Sequence, residues 1–466
     1  MLMHRPKSAY VTAVIVCWAA VSTADAGANA KRLPHFTVAF KTYTLKNGLR
    51  VVVAPDKSAP TYAICMAYNV GSRDERPGQT GLAHLLEHLM FEGSRNVGPG
   101  EHSYLIRTNG GSENATTNTD RTNYYEALPA NQLDLGLFLE ADRMAGLTVT
   151  PERLDLQRHV VLEEKMIRVD NKAYGRASEV LNDIAFENFA YRHSTFGTSA
   201  DLGAATTETV LRFYRTFYMP NNAVLVVVGN VRPEEVLAAV RKRFGGIPAG
   251  TLPQPPDFTP DVRESARQRT VEDSFAKASR IDISYKVPPG NSPEWYALAV
   301  AGDVLAEGHS SLLHRTLVLE KNLAARVAYQ QQQRRAAALG TFSVTLKKSD
   351  DVAAAEEVLY TELERFKKDP IDDWRVDKVR RDFVLTSAER FQSSTYRALV
   401  LSEFALFYND PGLLNTFVDK LYRVTKKDIQ RAVAKYFIQE NRSVVVTVPR
   451  AGRKEPASAP SDRGSS

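Results

Sequence analysis

The feature that most constrains the fold of this chain is an internal duplication. The segment TTETVLRFYRTFYMPNNAVLVVV begins at Thr206, and the segment TKKDIQRAVAKYFIQENRSVVVTV begins at Thr425. Both have the pattern of a helix, an aromatic pair, an asparagine and a valine-rich strand, and they align at a constant offset of 219 residues. The apolar segments 61–70 and 280–289 lie at nearly the same offset, and each precedes a predicted helix. A repeat of this length predicts two homologous halves.

Composition sets the limits of these halves. Residues 246–265 are rich in Pro and Gly and predict an extended linker, so the first half is expected to span residues 35–245 and the second residues 266–450. Residues 451–466 have little to bury and are expected to be disordered. The chain has 43% hydrophobic and 24% charged residues and a net charge of only +6, without a basic stripe. These values are typical of a soluble globular protein and argue against nucleic-acid binding.

The first thirty residues predict a secretory signal peptide. A basic start precedes an apolar run over residues 10–21, which is too short to span a membrane, and small residues then offer cleavage after Ala26 or Ala30. Once residues 1–30 are removed, Cys65 is the only cysteine, so the mature chain cannot form an internal disulfide. A secreted chain of this size without disulfides favours a bacterial periplasm. No later segment is long and apolar enough to predict a membrane span in the mature chain.

Local patterns predict the elements of the first half. Asn47-Gly48 predicts a hairpin between two strands. Thr150-Pro151 predicts the start of a helix that runs to about residue 168. The elements predicted between them are a strand over 61–70, helices over 79–92, 99–108 and 131–146, and two strands within 112–129.

The helix predicted over residues 79–92 carries the pattern His84-x-x-Glu87-His88. Two histidines four residues apart project from one face of a helix and can both reach one Zn²⁺. Glu87 lies on the adjoining edge, where it can take a proton from a water at the metal. The second copy has Asp303 and Glu307 at the histidine positions, so the histidines are an addition in one half. Catalytic zinc normally takes three protein ligands, and without a third the pattern fits the buried face of an ordinary helix.

The helix after Thr150 contains two adjacent acids, Glu163 and Glu164, in the stretch LQRHVVLEEKMIRVDNKAYG. Here the chain resembles the inverzincin peptidases, specifically the pitrilysin-like M16 family. Its members carry HxxEH and, some 76 residues later, a zinc-binding glutamate in a helix of the form R-x-V-V-x-x-E. Counting 76 residues from His88 leads to Glu164, with Arg158 in the expected register.

The resemblance covers both halves, over roughly residues 40–450, and includes the stretch GGSENATTNTDRTNYYEALPANQLDLGLFLEADRM at residues 110–144. It implies an α+β fold of two homologous α/β halves, each a mostly antiparallel sheet packed with helices. It also implies that the whole chain forms a bowl-shaped half of a clam-shell chamber, and that the cofactor is one Zn²⁺ per chain.

The same resemblance assigns roles to individual residues. It implies that Glu87 is the general base and that the zinc ligands are His84, His88 and Glu164. The family's edge strand, onto which an extended substrate adds by backbone pairing, corresponds to Asn114, Ala115 and Thr116. Asn114-Ala-Thr is also a glycosylation sequon, which has no expected role in a bacterial chain.

Four further residues near these motifs are not expected to bind the metal. Glu163 is expected to face away from it. Gln157 occupies a position where many family members have a supporting acid, so the surroundings of the metal differ from theirs. His102 and His159 are at no ligand spacing and are expected to be surface or core histidines.

The second half departs from the family pattern. Members carry R-x-E-K-x-G-L-A-Y there, and its arginine and tyrosine hold the substrate and stabilise the oxyanion. In the matching stretch LHRTLVLEKNLAARVAY, the arginine position is Val318 and the tyrosine position is Ala325. Some members pair two homologous chains, one carrying zinc and the other the arginine and tyrosine. This chain resembles the zinc-bearing subunit of such a pair.

Three functions remain open from the sequence. The first is a secreted zinc endopeptidase that cleaves peptides or unfolded segments together with a homologous partner chain. The second is a self-sufficient or homodimeric peptidase that uses Arg315, Arg326 or Tyr329 at the oxyanion. The third is a non-catalytic scaffold like the core subunits of respiratory complexes, and the intact set of zinc-binding and catalytic side chains weighs against it.

Overall fold

The structure of the chain is a computed structural model that describes residues 37–256 and 265–450. The predicted signal peptide, residues 1–30, and the predicted tail, residues 451–466, lie outside the described residues. Residues 248–256, the described part of the predicted linker after a short turn, contain no helix or strand.

The described residues form two β-sheets. The strands of the first sheet are β1 (Lys41–Thr44), β2 (Arg50–Pro55), β3 (Thr61–Tyr68), β4 (Ser112–Thr117), β5 (Thr122–Pro129) and β6 (Ala223–Gly229). The strands of the second sheet are β7 (Arg267–Asp273), β8 (Arg280–Val287), β9 (Ala324–Gln331), β10 (Ala338–Leu346) and β11 (Arg442–Pro449).

The α-helices follow the same division along the chain. Before the linker they are α1 (Leu82–Leu89), α2 (Glu101–Thr108), α3 (Leu133–Ala145), α4 (Pro151–Lys165), α5 (Ala177–Ala185), α6 (Phe189–Arg192), α7 (Ser199–Ala204), α8 (Thr207–Phe217) and α9 (Pro233–Phe244). After it they are α10 (Pro293–Ala306), α11 (Val352–Lys368), α12 (Asp373–Arg390), α13 (Ser394–Tyr408), α14 (Phe417–Tyr422) and α15 (Lys426–Tyr436).

The two sheets share one topology. The first has the order β1-β2-β6-β3-β5-β4, and the second has the order β7-β11-β8-β10-β9, which repeats the last five strands of the first. Each sheet contains one parallel pair, β2 with β6 and β7 with β11, and its other pairs are antiparallel. Strands β3 and β8, and helices α8 and α15, start and end 219 residues apart. The predicted duplication and the predicted α+β class are confirmed.

Each sheet is covered on one face by a helix from the other half. Helix α13 packs against β3 and β6, and Cys65 Sγ in β3 donates to Ser402 Oγ in α13 at 3.2 Å. Helix α5 packs against β7, β8 and β11, where Leu181 contributes to one apolar cluster with Leu339 and Val445. Residues 177–185 of α5 correspond at the offset of 219 to residues 396–404 of α13. The duplicated halves have therefore exchanged equivalent helices.

The predicted elements of the first half are present with small shifts at their ends. The hairpin turns at Gly48, whose φ of 83° is a conformation that glycine adopts without strain. Helix α4 begins where expected, with Thr150 Oγ1 accepting from the backbone N–H of Arg153. It ends as an α-helix at Lys165 and continues as a π-helical turn over Met166–Asp170. The wider turn buries Val169 against the protein, whereas the three residues before it are exposed.

Candidate metal centre

Helix α1 is held by its apolar face and by its N-terminus. Its four leucines, at positions 82, 85, 86 and 89, are buried in the core of the first half. The residue before the helix, Gly81, has a φ of +85°, and a Cβ atom there would lie 2.7 Å from the backbone oxygen of Phe196. Only glycine fits this close approach, which brings the segment around Phe196 against the histidine face of the helix. The rings of Phe196 and His84 meet edge to face, with centroids 5.0 Å apart.

A buried carboxylate caps the same helix. Glu75 accepts from the backbone N–H of Gly81 at 2.9 Å and from that of Ala83 at 2.8 Å. Its Oε2 also lies 3.0 Å from His193 Nε2. A negative charge at a helix N-terminus satisfies orphan N–H groups and interacts favourably with the helix dipole. Glu75 thus fixes the position of α1, and sequence reasoning did not identify it.

Helix α4 packs against α1 and carries the predicted third ligand. Leu154 and Val161 anchor its buried face. Gln157 Nε2 donates to Glu92 Oε1 at 2.7 Å, and Arg153 Nη1 lies 3.1 Å from Glu92 Oε2, so polar bonds also tie α4 to the segment after α1. These contacts set the rotation of α4 that turns Glu164 towards the histidines.

The structure brings His84, His88 and Glu164 together. The two Nε2 atoms are 3.3 Å apart, and Glu164 Oε2 lies 3.4 Å from His84 Nε2 and 3.2 Å from His88 Nε2. Ligands about 2.0–2.1 Å from a tetrahedral zinc lie roughly 3.3 Å from one another, so this triangle has the size that Zn²⁺ requires. Two imidazoles and one carboxylate are also a donor set that catalytic zinc uses, and the residues therefore fit the metal.

The protonation of these groups suits a cation. Burial, and next the neighbouring His88, lower the pKa of His84, which favours the neutral imidazole that a metal needs. The hydrogen bond with His88 lowers the pKa of Glu164. Arg168, one turn further along, binds the other oxygen of Glu164 at 2.9 Å and holds the carboxylate in place. Within the described part of the chain, the buried Nδ1 of His84 has no hydrogen-bond partner.

Glu87 lies beside the triangle and outside it. Thr117 Oγ1, at the end of β4, donates to Glu87 Oε2 at 2.5 Å. Burial raises the pKa of Glu87, and the bond from Thr117 opposes this rise. A raised pKa makes a carboxylate a stronger base, which suits the acceptance of a proton. The bond to Thr117 also joins α1 to the edge strand β4.

Strand β4, which contains Asn114, Ala115 and Thr116, is the outermost strand of its sheet. At the hairpin that follows, the N–H of Asn118 donates to the carbonyl of Arg121, and hydrogen-bonded positions alternate along an antiparallel pair. The backbone of Ala115 and of Thr117 therefore points away from β5, and no other strand among the described residues pairs with this edge. Asn114 Oδ1 accepts from the N–H of Ala115 at 2.8 Å.

Other histidines and acids near the motifs lie away from the triangle. Glu163 and His159 are exposed on α4. His102 is buried, with only 4% of its surface exposed, beside residues of α3 and β5. Arg158 donates to the carbonyls of Leu202 and Ala205 at 2.9 and 3.0 Å, which gives the arginine of the R-x-V-V-x-x-E pattern a structural role.

The second half has no polar side chain at the two positions where the sequence motif predicts an oxyanion donor. Val318 lies in a π-helical turn over His314–Glu320 and packs against the core of its half. Ala325 is exposed and is the extra residue of a β-bulge, since Arg326 pairs with Thr345 and Ala324 with Leu346.

The three alternative donors are placed differently from one another. Arg315 is exposed and forms an ion pair with Glu320 at 2.6 Å. Arg326 is exposed on β9. The ring of Tyr329 is buried against Gly302, and its hydroxyl donates to Gln331 Oε1 at 2.6 Å. Tyr329 is a core residue of the second half.

Sequence reasoning missed the residues that position the site. Glu75, Thr117 and Glu92 lie outside the motifs, and only the folded chain brings them to α1 or α4. Arg168 carried a local signal, because a residue four positions after Glu164 on a helix lies beside it.

Comparison with known proteins agrees with this geometry. A model of the family described as Insulinase (Peptidase family M16) matches residues 50–199, and a model described as Peptidase M16 inactive domain matches residues 204–383. The zinc protease PqqE of Helicobacter pylori is 28% identical over 414 residues, which are 88% of this chain and 93% of that protein.

Solved structures extend the comparison to the fold. A protease from Helicobacter pylori matches with a TM-score of 0.83 and 27% identity, covering 89% of this chain and 100% of that chain. The periplasmic protease PqqL from Escherichia coli matches with a TM-score of 0.71 and 19% identity, covering 89% of this chain and 48% of that chain. The second likeness concerns the fold alone. The two family matches, the shared fold and the relatives named as zinc proteases lead to one conclusion: the chain belongs to peptidase family M16.

Proposed function

We propose that this chain is a zinc-dependent endopeptidase of the periplasm that cleaves peptides or unfolded segments. The observation that carries the proposal is the triangle of His84, His88 and Glu164, whose sides of 3.2–3.4 Å suit a single Zn²⁺. Bound there, zinc supplies a Lewis acid that polarises a peptide carbonyl and makes water more acidic. One zinc per chain is expected, because the corresponding helix of the second half has no histidine.

The residues around the metal have complementary tasks. Glu87, held by Thr117 and kept out of the triangle, accepts the proton of the attacking water and passes it to the leaving amine. The outward backbone groups of Ala115 and Thr117 bind the substrate as an added strand, with the bond to be cleaved next to Glu87. Backbone pairing selects an extended conformation and little sequence, so the expected substrates are peptides and unfolded segments.

A second chain is proposed to complete the site. The oxyanion that develops during attack needs positioned donors, and Val318 and Ala325 have none. A homologous M16 subunit that carries the arginine and tyrosine would supply them and close a chamber over the substrate. The periplasmic protease PqqL, of which this chain covers about half, supports a unit of twice this length.

The self-sufficient alternative rests on Arg326, which is exposed on β9 and is free to reach a second copy of the chain. The scaffold alternative requires that the triangle and Glu87 have no use. Neither explains the zinc-sized triangle and the apolar positions Val318 and Ala325 together.

The test is zinc-dependent hydrolysis of an unstructured fluorogenic peptide. The full chain is assayed with a homologous subunit that carries R-x-E-K-x-G-L-A-Y, first as purified, then after removal of metal by a chelator, and then after addition of one equivalent of Zn²⁺. Hydrolysis should disappear with the metal and return with zinc. Hydrolysis that persists in the metal-free protein, or no hydrolysis with zinc and the partner present, would contradict the proposal.

A further inference from the structure

A cavity lies between the two halves, next to the edge strand. It encloses about 430 Å³, which is within the range of ligand pockets in proteins. Its wall in the first half includes Thr116 of β4 and Asn123 and Tyr125 of β5. Its wall in the second half is formed mainly by residues of α10, α12 and α13. The three residues of the zinc triangle do not line it, so the cavity is separate from the metal centre.

The cavity lies on the face of the first sheet that is opposite to Glu87. Successive side chains of a strand point to opposite faces. Thr117 donates to Glu87 on one face, so the side chain of Thr116 faces the other way and lines the cavity. Cys65, which pairs with Tyr125 and contacts α13, identifies this second face as the one that α13 covers. The cavity is therefore directly beside the strand to which the substrate is proposed to add.

An added strand presents its own side chains alternately to the two faces. The outward backbone groups of Ala115 and Thr117 are the ones that would pair with the substrate. The substrate residue opposite Thr116 then has its side chain on the face of α13, at the cavity. Its two neighbours point to the face of Glu87 and the metal. Alternation thus delivers to the cavity one side chain that lies close to the cleaved bond.

The wall of the cavity is largely aromatic and aliphatic. The ring of Phe417 joins two others, with centroid distances of 5.4 Å to Phe383 on α12 and 5.9 Å to Phe404 on α13. Trp295 of α10 and Val400 of α13 continue this wall. Apolar surface is stabilised when another apolar group covers it and removes it from water. The wall therefore favours a large apolar side chain.

The charged groups of the cavity do not favour a charged side chain. Arg121 Nε lies 3.7 Å from Glu403 Oε2, so this carboxylate already has a cation beside it. Burial also raises the pKa of Glu403, which makes it a weaker partner for a basic side chain. Arg121 Nη1 donates to the carbonyl and the hydroxyl of Thr116, and Arg390 is exposed, where water screens its charge. A charged substrate side chain would lose its hydration here without gaining a strong partner.

We propose that this cavity is a specificity pocket that takes one large apolar side chain, aromatic or long aliphatic, of the substrate strand. The inference rests on the proposed peptidase function and adds to it a preference at one position near the cleaved bond. Because most of the apolar wall comes from α10, α12 and α13, the second half selects the substrate that the first half cleaves.

The test is a set of unstructured peptides that differ at one residue. Each is a run of serine, glycine and alanine with Phe, Ala, Lys or Glu at a fixed place. The zinc-loaded chain is assayed with a homologous subunit that carries R-x-E-K-x-G-L-A-Y, and mass spectrometry locates the cleaved bond. The kcat/KM of the Phe peptide should exceed that of the Ala peptide by about 10- to 100-fold, as burial of one large apolar side chain allows. The Lys and Glu peptides should not exceed the Ala peptide, and moving the Phe by one residue should move the cleaved bond by one residue.

A variant of the wall separates the pocket from other causes of this preference. Thr386 is exposed and lines the cavity from α12, so the indole of Thr386→Trp should occupy the space that the substrate side chain needs. Its kcat/KM for the Phe peptide should fall about 10-fold or more, and that for the Ala peptide should change less than about twofold. The matched control is Leu385→Trp, because Leu385 is exposed on the same helix and does not line the cavity. It should keep the preference of the parent.

The outcomes distinguish the pocket from the peptidase function. Equal zinc-dependent cleavage of the Phe and Ala peptides, or an equal effect of the two tryptophan variants, would overturn the pocket alone. Faster cleavage of the Lys or Glu peptide than of the Phe peptide would overturn it as well. Absence of hydrolysis for every peptide would contradict the proposed function and this inference with it. Hydrolysis of the Ala peptide by Thr386→Trp confirms that this variant is folded.

Discussion

The helices α1 and α10 occupy equivalent places in the two halves and differ in chemistry. At the offset of 219, His84 and His88 correspond to Asp303 and Glu307, and Glu87 corresponds to Ala306. The partner helices differ in the same way. Helix α4 packs against α1 and α12 against α10, and the position of Glu164 is occupied by Phe383 in α12.

The same packing of two helices surrounds different side chains in the two halves. In the first half, polar side chains from two helices converge on one point. In the second half, Phe383 packs against the core and its ring meets that of Phe417 at 5.4 Å. Asp303 there has its pKa raised to about 7 by burial and by Glu307, with Lys378 acting in the opposite direction. Both halves thus hold a polar side chain on this helix. Among the described residues, only the first half also places a second histidine and a carboxylate from the neighbouring helix beside it.

The largest effect, on peptide turnover, is expected from the two oxyanion donors that the second half lacks. The isolated chain should hydrolyse an unstructured peptide slowly, and a homologous subunit with the arginine and tyrosine should raise kcat. Loss of one oxyanion donor costs about 100- to 1,000-fold, so the gain from two should exceed about 10,000-fold. The measurement is turnover of a fluorogenic peptide by each chain alone and by the mixture. Full activity from the isolated chain would refute this division of roles, and Arg315→Ala and Arg326→Ala would then be the variants to compare.

The next effect separates proton transfer from metal binding within α1. Glu87→Gln should reduce hydrolysis by about 100- to 10,000-fold, because an amide cannot accept the proton of the attacking water. Zinc content should equal that of the parent, since Glu87 lies outside the triangle. Both quantities are measured on the same preparation. Activity within tenfold of the parent would remove Glu87 from this role.

A smaller effect tests the register of α4. Glu164→Gln should weaken zinc binding by more than the roughly 10–100-fold that loss of an outer partner costs, because it removes a charged ligand. The matched control is Glu163→Gln, one residue earlier on the same helix and exposed. Zinc affinity is measured by competition with a chromogenic chelator. If the control loses its zinc and Glu164→Gln retains it, the register is wrong by one residue.

The smallest effect concerns the polar group of α10. The pKa of Asp303 is about 7 in the folded chain, whereas its reference value is 3.8. Between about pH 4 and pH 7 the folded chain therefore keeps a proton on Asp303 that the unfolded chain has already released. Stability conferred by this group is therefore lost as pH rises from about 4 to about 7. In the variant Asp303→Asn, the free energy of unfolding should no longer fall over this pH range. In the parent that fall is at most about 4 kcal/mol. The thermal midpoint of the variant, relative to the parent, should be higher at pH 8 than at pH 4.

The control for this comparison is Asp350→Asn, at an exposed position of the second half. Its midpoint relative to the parent should not change with pH. A difference between Asp303→Asn and the parent that is the same at pH 4 and pH 8 would show that Asp303 does not carry this proton.

Much of the fold could be predicted from local and repeated patterns. The duplication fixed the offset at which strands and helices recur, because two copies of one fold preserve the spacing of their apolar segments. The boundaries of α1 and α4 were predicted less well. Helix α1 spans only Leu82–Leu89 within the predicted range of 79–92, and the π-helical turn after Lys165 depends on the burial of Val169.

The sequence by itself determined the donor types and their order along the chain: two histidines at helical spacing, an acid between them, and an acid on a later helix. It also determined that the second half has no polar side chain at Val318 and Ala325. These are properties of residue identity and short-range spacing, which a linear chain carries without folding.

Only the tertiary structure decided which residues support the site. Glu75 at the N-terminus of α1, Thr117 beside Glu87, and the exchange of α5 and α13 between the halves depend on contacts far apart in the sequence. Such contacts are decided by how the amphipathic faces of the elements pack, and no local pattern encodes that arrangement.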